Sequence, residues 1–228
     1  VDDPRREAEA GRGRPRLGGA AKRVADILLA GVGLLALLPL LAALGVLIRL
    51  GSPGPALFRQ VRVGRGGRDF VLYKFRTMTV RAGSERGSFD AGDRSRVTRV
   101  GRLLRATKLD ELPQLWNVVR GDMSLVGPRP EVRRWVEAYP ERWAVVLSVR
   151  PGITDPAAII YRHEERLLAA ADDPDALYRD EILPRKLELY ERYIAARSFP
   201  GDLAILWRTA GALLRRRADG HPQPFKFH

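Results

Sequence analysis

The sequence predicts a mostly helical α+β protein: one long apolar helix near the N-terminus, a small β-hairpin, and a compact domain of further helices. Three observations predict it. No charged residue occurs between Asp26 and Arg49. Apolar residues alternate through Phe58, Val61 and Val63 and again through Phe70 and Leu72 on either side of a glycine-rich turn, as in a half-buried strand pair. Downstream of residue 97 the apolar spacing changes to that of helices.

The uncharged stretch runs from Ile27 to Ile48, 22 residues of nearly pure Leu, Ala, Val and Gly. As a helix it is about 33 Å long, enough to cross the apolar core of a bilayer. A secretory leader has a shorter apolar stretch and a cleavage site, so this segment fits that class poorly. Pro39 lies inside it and removes a backbone hydrogen bond. Both flanks are basic: Arg5, Arg6, Arg12, Arg14, Arg16, Lys22 and Arg23 before it, Arg49, Arg59, Arg62, Arg65 and Arg68 after it. Positive flanks favour the cytoplasmic side. A single span would force one of them outward, whereas a helix that enters, breaks at Pro39 and returns keeps both inside. The residues alone leave span and re-entrant hairpin open.

Residues 1–21, rich in Arg, Gly and Pro, are expected to form a disordered basic arm. Gly51-Ser-Pro-Gly-Pro55 ends the apolar helix. The hairpin is expected over Ala56–Val63 and Asp69–Met78, turning at Gly64–Arg68. From Arg49 to Arg81 the chain carries eight basic residues and one acid, over half of its net charge of +13. The glycines of the turn have neither the strand–helix context nor the lysine of a phosphate-binding loop. An exposed loop is expected over 79–97, then a helix over Thr98–Arg105. Pro113 can open the next helix, with Leu112, Leu115, Trp116 and Val119 on its apolar face. Ser124–Pro130 reads as a turn-rich connector, and further helices are expected at Glu131–Val149, His163–Ala170, Ala176–Ala196 and Asp202–Arg217. The last combines Leu203, Leu206, Trp207, Leu213 and Leu214 with Arg208, Arg215, Arg216 and Arg217. That composition suits an amphipathic helix on an anionic membrane, or equally an ordinary packing helix with solvated arginines. The expected division is therefore 1–21 arm, 22–50 membrane helix, 51–217 catalytic domain and 218–228 tail.

The absence of cysteine excludes a disulfide framework, a zinc ribbon and a thiol nucleophile. His163, His221 and His228 are scattered, which argues against a His-rich metal site or a Ser/His/Asp triad. A catalytic metal would sit on oxygen ligands, which favours magnesium. The positive charge points to a polyanionic partner: nucleic acid, anionic lipid or a phosphorylated substrate.

Candidate chemistry concentrates in Lys108-Leu-Asp-Glu-Leu-Pro-Gln114. Asp110 and Glu111 stand just before a proline-started helix, where a carboxylate can simply cap the helix. Adjacent carboxylates also push their pKa values apart, so that one can attack while the other holds metal or moves a proton. A carboxylate attacking a phosphate needs cations beside it. Arg105 lies five residues upstream, and Arg129 is held between Pro128 and Pro130, whose restricted backbones fix its direction.

Taken in order, several segments resemble the bacterial sugar transferase family, the small monotopic phosphoglycosyl transferases. They are Lys22-Arg23-Val24-Ala25-Asp26, Tyr73-Lys74-Phe75-Arg76-Thr77-Met78, the run Leu104 to Val119, Gly121 to Pro130, and Val149-Arg150-Pro151-Gly152-Ile153-Thr154. They cover residues 22 to about 217. The resemblance implies a re-entrant membrane helix broken at Pro39 and a cytoplasmic catalytic domain on the inner face of the bacterial inner membrane, with interfacial amphipathic helices. It implies transfer of a sugar 1-phosphate from a UDP-sugar to polyprenol (undecaprenyl) phosphate with release of UMP, through a phosphosugar held covalently on Asp110, as a first membrane step of glycoconjugate or exopolysaccharide synthesis. By the same resemblance Asp110 and Glu111 are catalytic and bind Mg2+, Arg105 and Arg129 bind phosphate, and Lys74 and Arg76 support them. The implied partners are the UDP-sugar, polyprenol phosphate and anionic lipid, not nucleic acid, with self-association left open.

Two departures stand out. After Pro-Gly-Ile-Thr the family often continues Gly-Trp-Ala-Gln, whereas this chain runs Asp155-Pro-Ala-Ala-Ile-Ile-Tyr-Arg162. Leu38 precedes Pro39 where relatives often have Ser. The chain also opens at Val1, as a piece of a longer family member with a further membrane domain would. The competing expectation is a membrane-anchored basic protein that binds nucleic acid or acts as a scaffold without catalysis. No reading helix or aromatic stacking platform supports the nucleic-acid version.

Overall fold

A computed structural model describes residues 17–80, 95–161 and 164–215. The chain is mostly helical with two small sheets. Helix α1, Leu17–Gly51, is the apolar segment. It begins inside the stretch expected as a disordered arm; residues 1–16 and the tail lie outside the described residues. It runs through Pro39 as one helix, so the expected break is not seen as an interruption. Only 11% of its apolar stretch is buried, and Leu28, Leu29, Val32, Leu35, Leu38 and Leu47 stand exposed.

Both ends of α1 are fastened to the same body. At its start Lys22 Nζ pairs with Asp202 Oδ2 at 2.6 Å, and Asp26 Oδ2 accepts from Ser124 Oγ at 2.7 Å. Arg23 donates to the carbonyls of Met123 and Val118 at 3.1 and 2.7 Å. Toward its end Leu44 and Ile48 pack on Phe75 and Leu104. Between them Ala30 joins Leu72, Val118 and Met123 in a second cluster.

Strands β1, Leu57–Val63, and β2, Asp69–Phe75, form the antiparallel hairpin expected, with Leu57 opposite Phe75 and Val63 opposite Asp69. Helix α2, Arg99–Thr107, is capped by Thr98, whose Oγ1 accepts from the Gly101 amide at 2.9 Å. Helix α3, Gln114–Arg120, follows the proline at 113. Strand β3, Ser124–Val126, lies within the expected connector and pairs in parallel with β4, Gly152–Thr154. This second sheet was not expected, because three-residue strands give no readable alternation.

The helix expected over Glu131–Val149 is two helices, α4, Arg133–Ala138, and α5, Pro140–Val146. Pro140 causes the division: it forces Tyr139 out of the helical region, to φ −140 and ψ 64. Helices α6, Pro156–Ile160, and α7, Glu164–Ala169, come next. The expected Ala176–Ala196 helix opens with α8, Pro174–Leu177, passes through a π-helical turn at Tyr178–Ile182, and continues as α9, Leu183–Ala196. Pro184 has no amide hydrogen to give, which accounts for widened bonding just before it. Helix α10, Phe199–Arg215, closes the described chain. The main core joins Trp135, Trp143, Tyr178, Leu183, Leu187 and Tyr190 under β1.

Candidate active site

The site is built where α2 ends. Lys108 adopts a left-handed conformation, φ 58 and ψ 15, the one non-glycine positive φ among the described residues. This turn stops α2 and starts a single 3-10 turn, Leu109–Glu111, that carries the two carboxylates. Such a backbone is costly for a residue with a side chain and is kept where surrounding structure demands it.

Glu111 faces Arg129, whose Nη2 donates to Oε1 at 2.8 Å and Nη1 to Oε2 at 3.5 Å. Lys108 Nζ adds a cation 3.7 Å from Oε1. Burial alone would push the Glu111 carboxyl up, but Arg129 and Lys108 hold it down, at about 2. The same pairing raises the Arg129 pKa. Glu111 is therefore a fixed anion.

Asp110 differs. It is 7% exposed, and its Oδ1 has no hydrogen-bond partner among the described residues. Burial and the neighbouring Glu111 push its pKa up, against the pull of Lys74, Lys108 and Arg129. The amide Nε2 of Gln114, also buried, is likewise unpartnered. Lys74 reaches the group from β2, and burial together with Arg62 lowers its pKa to about 8.

The supports are specific. Asn117, fully buried in α3, donates to the Val71 carbonyl at 2.7 Å and accepts from the Tyr73 amide at 3.1 Å. It thereby fixes the strand that carries Lys74. Arg62 Nη1 donates to the Pro130 carbonyl at 3.3 Å and to Glu131 Oε2 at 3.0 Å, and Tyr178 Oη donates to Glu131 Oε1 at 2.6 Å. These bonds hold the segment behind Arg129. Gly101 lies against Thr77 so closely that a Cβ would collide with the Thr77 carbonyl.

Of the residues singled out in the sequence, the fold brings Lys74, Asp110, Glu111 and Arg129 together. Arg105 borders them: its Nε donates to Thr77 Oγ1 at 2.8 Å, and its Nη1 lies 3.4 Å from Glu165. Arg76 is elsewhere. Its guanidinium donates to the carbonyls of Ser52 and Pro53 and to Ser52 Oγ, so it ties the end of α1 to β2. Sequence reasoning missed Arg62 and Asn117 and marked Asp155 only as the start of a departure from the family pattern. Asn117 was readable as a polar residue between the apolar Trp116 and Val118 of a short helix, and Asp155 as a capping acid before proline. Arg62 carried no local signal.

Two acids ringed by this many cations, one of them unpartnered, suit a phosphate-bearing ligand, and the fold adds a long apolar helix beside them. Residues 17–216 match the bacterial sugar transferase family, and the chain belongs to it. It is 43% identical over 197 residues to the UDP-glucose:undecaprenyl-phosphate glucose-1-phosphate transferase of Caulobacter vibrioides, covering 85% of this chain and 69% of that protein. It is 39% identical over 196 residues to the UDP-N-acetylgalactosamine-undecaprenyl-phosphate N-acetylgalactosaminephosphotransferase of Aeromonas hydrophila, covering 85% of this chain and 43% of that protein. The exopolysaccharide production protein ExoY of Rhizobium meliloti is 39% identical over 226 residues, 92% of each chain. The chain thus spans less than half of the Aeromonas relative and nearly all of the Rhizobium one.

Proposed function

We propose that this protein transfers a sugar 1-phosphate from a UDP-sugar to polyprenol phosphate and releases UMP. The observation that carries the reading is Asp110: a buried carboxylate with an unpartnered oxygen, set among Lys74, Lys108 and Arg129 and beside an acid already neutralised by Arg129. The names of the relatives point to the same reaction.

In the proposed mechanism an Asp110 oxygen attacks the β-phosphorus of the UDP-sugar. The bond from that phosphorus to the bridging oxygen breaks, and its electron pair leaves with UMP. The sugar phosphate is then held on Asp110 as an acyl phosphate. An oxygen of polyprenol phosphate attacks the same phosphorus, the bond to Asp110 breaks, and the carboxylate is regenerated. Arg129 and Lys74 hold the phosphate oxygens and offset the charge that repels an anionic nucleophile. Glu111, fixed as an anion, orients Arg129.

A magnesium ion fits this donor set. The described residues contain no cluster of three or more acidic, His or Cys side chains, so an ion here would rest on Asp110 and Glu111 and fill its shell with substrate oxygens and water. The unpartnered Oδ1 of Asp110 is the acceptor available to it. Bound there, it would supply Lewis-acid polarisation of the diphosphate.

We read α1 as a membrane helix that does not cross the bilayer. Lys22 and Asp26 at one end and Leu44 and Ile48 at the other all rest on one domain, which favours both flanks on the same, cytoplasmic side of the inner membrane. The basic hairpin would then meet anionic headgroups, at roughly 1 kcal/mol per charge near the surface.

The test is UMP release from a panel of UDP-sugars by detergent-solubilised protein, with magnesium and polyprenol phosphate, for wild type and Asp110→Asn. Lipid-dependent release that vanishes in the variant is the expected result. Release from none of the sugars, or full release by the variant, overturns the reading.

A further inference from the structure

The departure after Pro-Gly-Ile-Thr places an acid, Asp155, where the mechanism above has no use for one. Its setting is unusual. Asp155 is 1% exposed. Its Oδ1 accepts from the Ala158 amide at 2.9 Å and so caps α6. Its Oδ2 is buried and makes no hydrogen bond of normal geometry among the described residues, although the Ala157 amide also draws on the carboxylate. A cap needs one oxygen, which Ser, Thr or Asn would supply. Burying a second, unpartnered carboxylate oxygen is costly, and natural proteins keep few such groups.

The topology says what that oxygen is near. Strands β3 and β4 run parallel, and Arg129 follows the carboxyl end of one as Asp155 follows the carboxyl end of the other. The Gly127 amide donates to the Thr154 carbonyl at 3.0 Å, and Gly127 and Gly152 approach so closely that a Cβ on either would meet the backbone of the other's strand. The two loops therefore leave the sheet side by side. Arg129 lies in the electrostatic field of Asp155 as well as that of Glu111, and Lys186, itself 4% exposed, is a second cation in reach of Asp155. Crevices beyond the carboxyl ends of parallel strands are common ligand sites. Burial raises the Asp155 pKa to about 6, so it remains mainly an anion at neutral pH.

We propose that Asp155 reads the sugar: its Oδ2 accepts a hydrogen bond from a hydroxyl or amide N–H of the sugar carried by the nucleotide. This rests on the function proposed above. If Arg129 holds the phosphates at the reacting centre, the group beside Arg129 meets what is attached to the β-phosphate, and that is the sugar. A carboxylate anion offers only acceptors, so it selects for a donor and penalises a sugar that lacks one there.

The experiment compares wild type, Asp155→Asn and Asp155→Ser. Both variants keep an oxygen for the Ala158 amide; the first turns Oδ2 into a donor and the second deletes it. UMP release is measured with UDP-glucose, UDP-galactose, UDP-N-acetylglucosamine and UDP-N-acetylgalactosamine, together with inhibition by UMP alone. The expected result is a loss of at least tenfold in kcat/KM for the preferred sugar, a flattened ranking of the four, and UMP inhibition unchanged within about twofold. An unchanged ranking overturns the inference, whether activity is kept or falls equally for all four. So does failure of both variants to fold, since Asp155 would then serve structure alone. Release by wild type from none of the four sinks the proposed function itself, a separate outcome.

Discussion

Arg129 grips Glu111 with two guanidinium nitrogens, at 2.8 and 3.5 Å, across 18 residues of sequence. The acid beside it, Asp110, is left with a free oxygen. Burial raises the pKa of both neighbours, but Arg129 and Lys108 reverse the shift at Glu111, so the two adjacent carboxyls are pushed in opposite directions.

Glu111→Gln removes the charge that orients Arg129. UMP release is expected to fall on the order of 100-fold, with the fold retained at neutral pH. Folding depresses the Glu111 pKa from 4.5 to about 2, so its stabilisation is present above pH 4.5 and lost as pH falls toward 2. Thermal unfolding of the variant should therefore depend less on pH across that window than wild type does.

Asp110→Asn is expected to lose UMP release by 1000-fold or more and to gain stability at neutral pH. Folding raises the Asp110 pKa, so the folded state resists its ionisation and stability declines as pH rises from 3.8 through the folded value. A neutral amide escapes that penalty. Melting temperature and turnover, measured on one preparation, should move in opposite directions.

Lys74 loses its charge as pH passes about 8. If it holds phosphate, kcat/KM should decline above that pH, and Lys74→Arg should remove the decline because arginine stays charged. Stability should shift the other way, since the folded state favours neutral Lys74 and gains as pH rises from 8 toward 10.5. A pH–rate profile of the two proteins checks this.

Gly101→Ala would drive a methyl group into the Thr77 carbonyl. Helix α2 must then shift from the Thr77 segment that follows β2, and with it Arg105, which bonds Thr77 Oγ1. The expected cost is about 2–4 kcal/mol, measured by denaturant unfolding, with reduced activity even in protein that remains folded.

The apolar helix and the hairpin were legible because each rests on a local pattern: a long uncharged run, and alternation about a glycine turn. The carboxylate pair was legible from its cluster of neighbouring motifs. What stayed hidden depends on contacts far apart in sequence. Nothing near Arg76 in the sequence announces its partners, the carbonyls of Ser52 and Pro53, which consume it. Strands β3 and β4 are too short to show a period, so the loops they align could not be foreseen. The division at Pro140 was visible and was outweighed by the apolar spacing around it.

The clasp of Lys22 on Asp202 and of Asp26 on Ser124 carries a consequence for biosynthesis. The ribosome delivers α1 well before its polar anchors Ser124 and Asp202, since a chain emerges from its N-terminal side. Throughout that interval the stickiest segment of the polypeptide has none of its own domain to rest on. A nascent chain of this design needs an apolar host, lipid or chaperone, before its domain has folded. Docking of the finished domain onto a helix already seated there would then be the last act of folding.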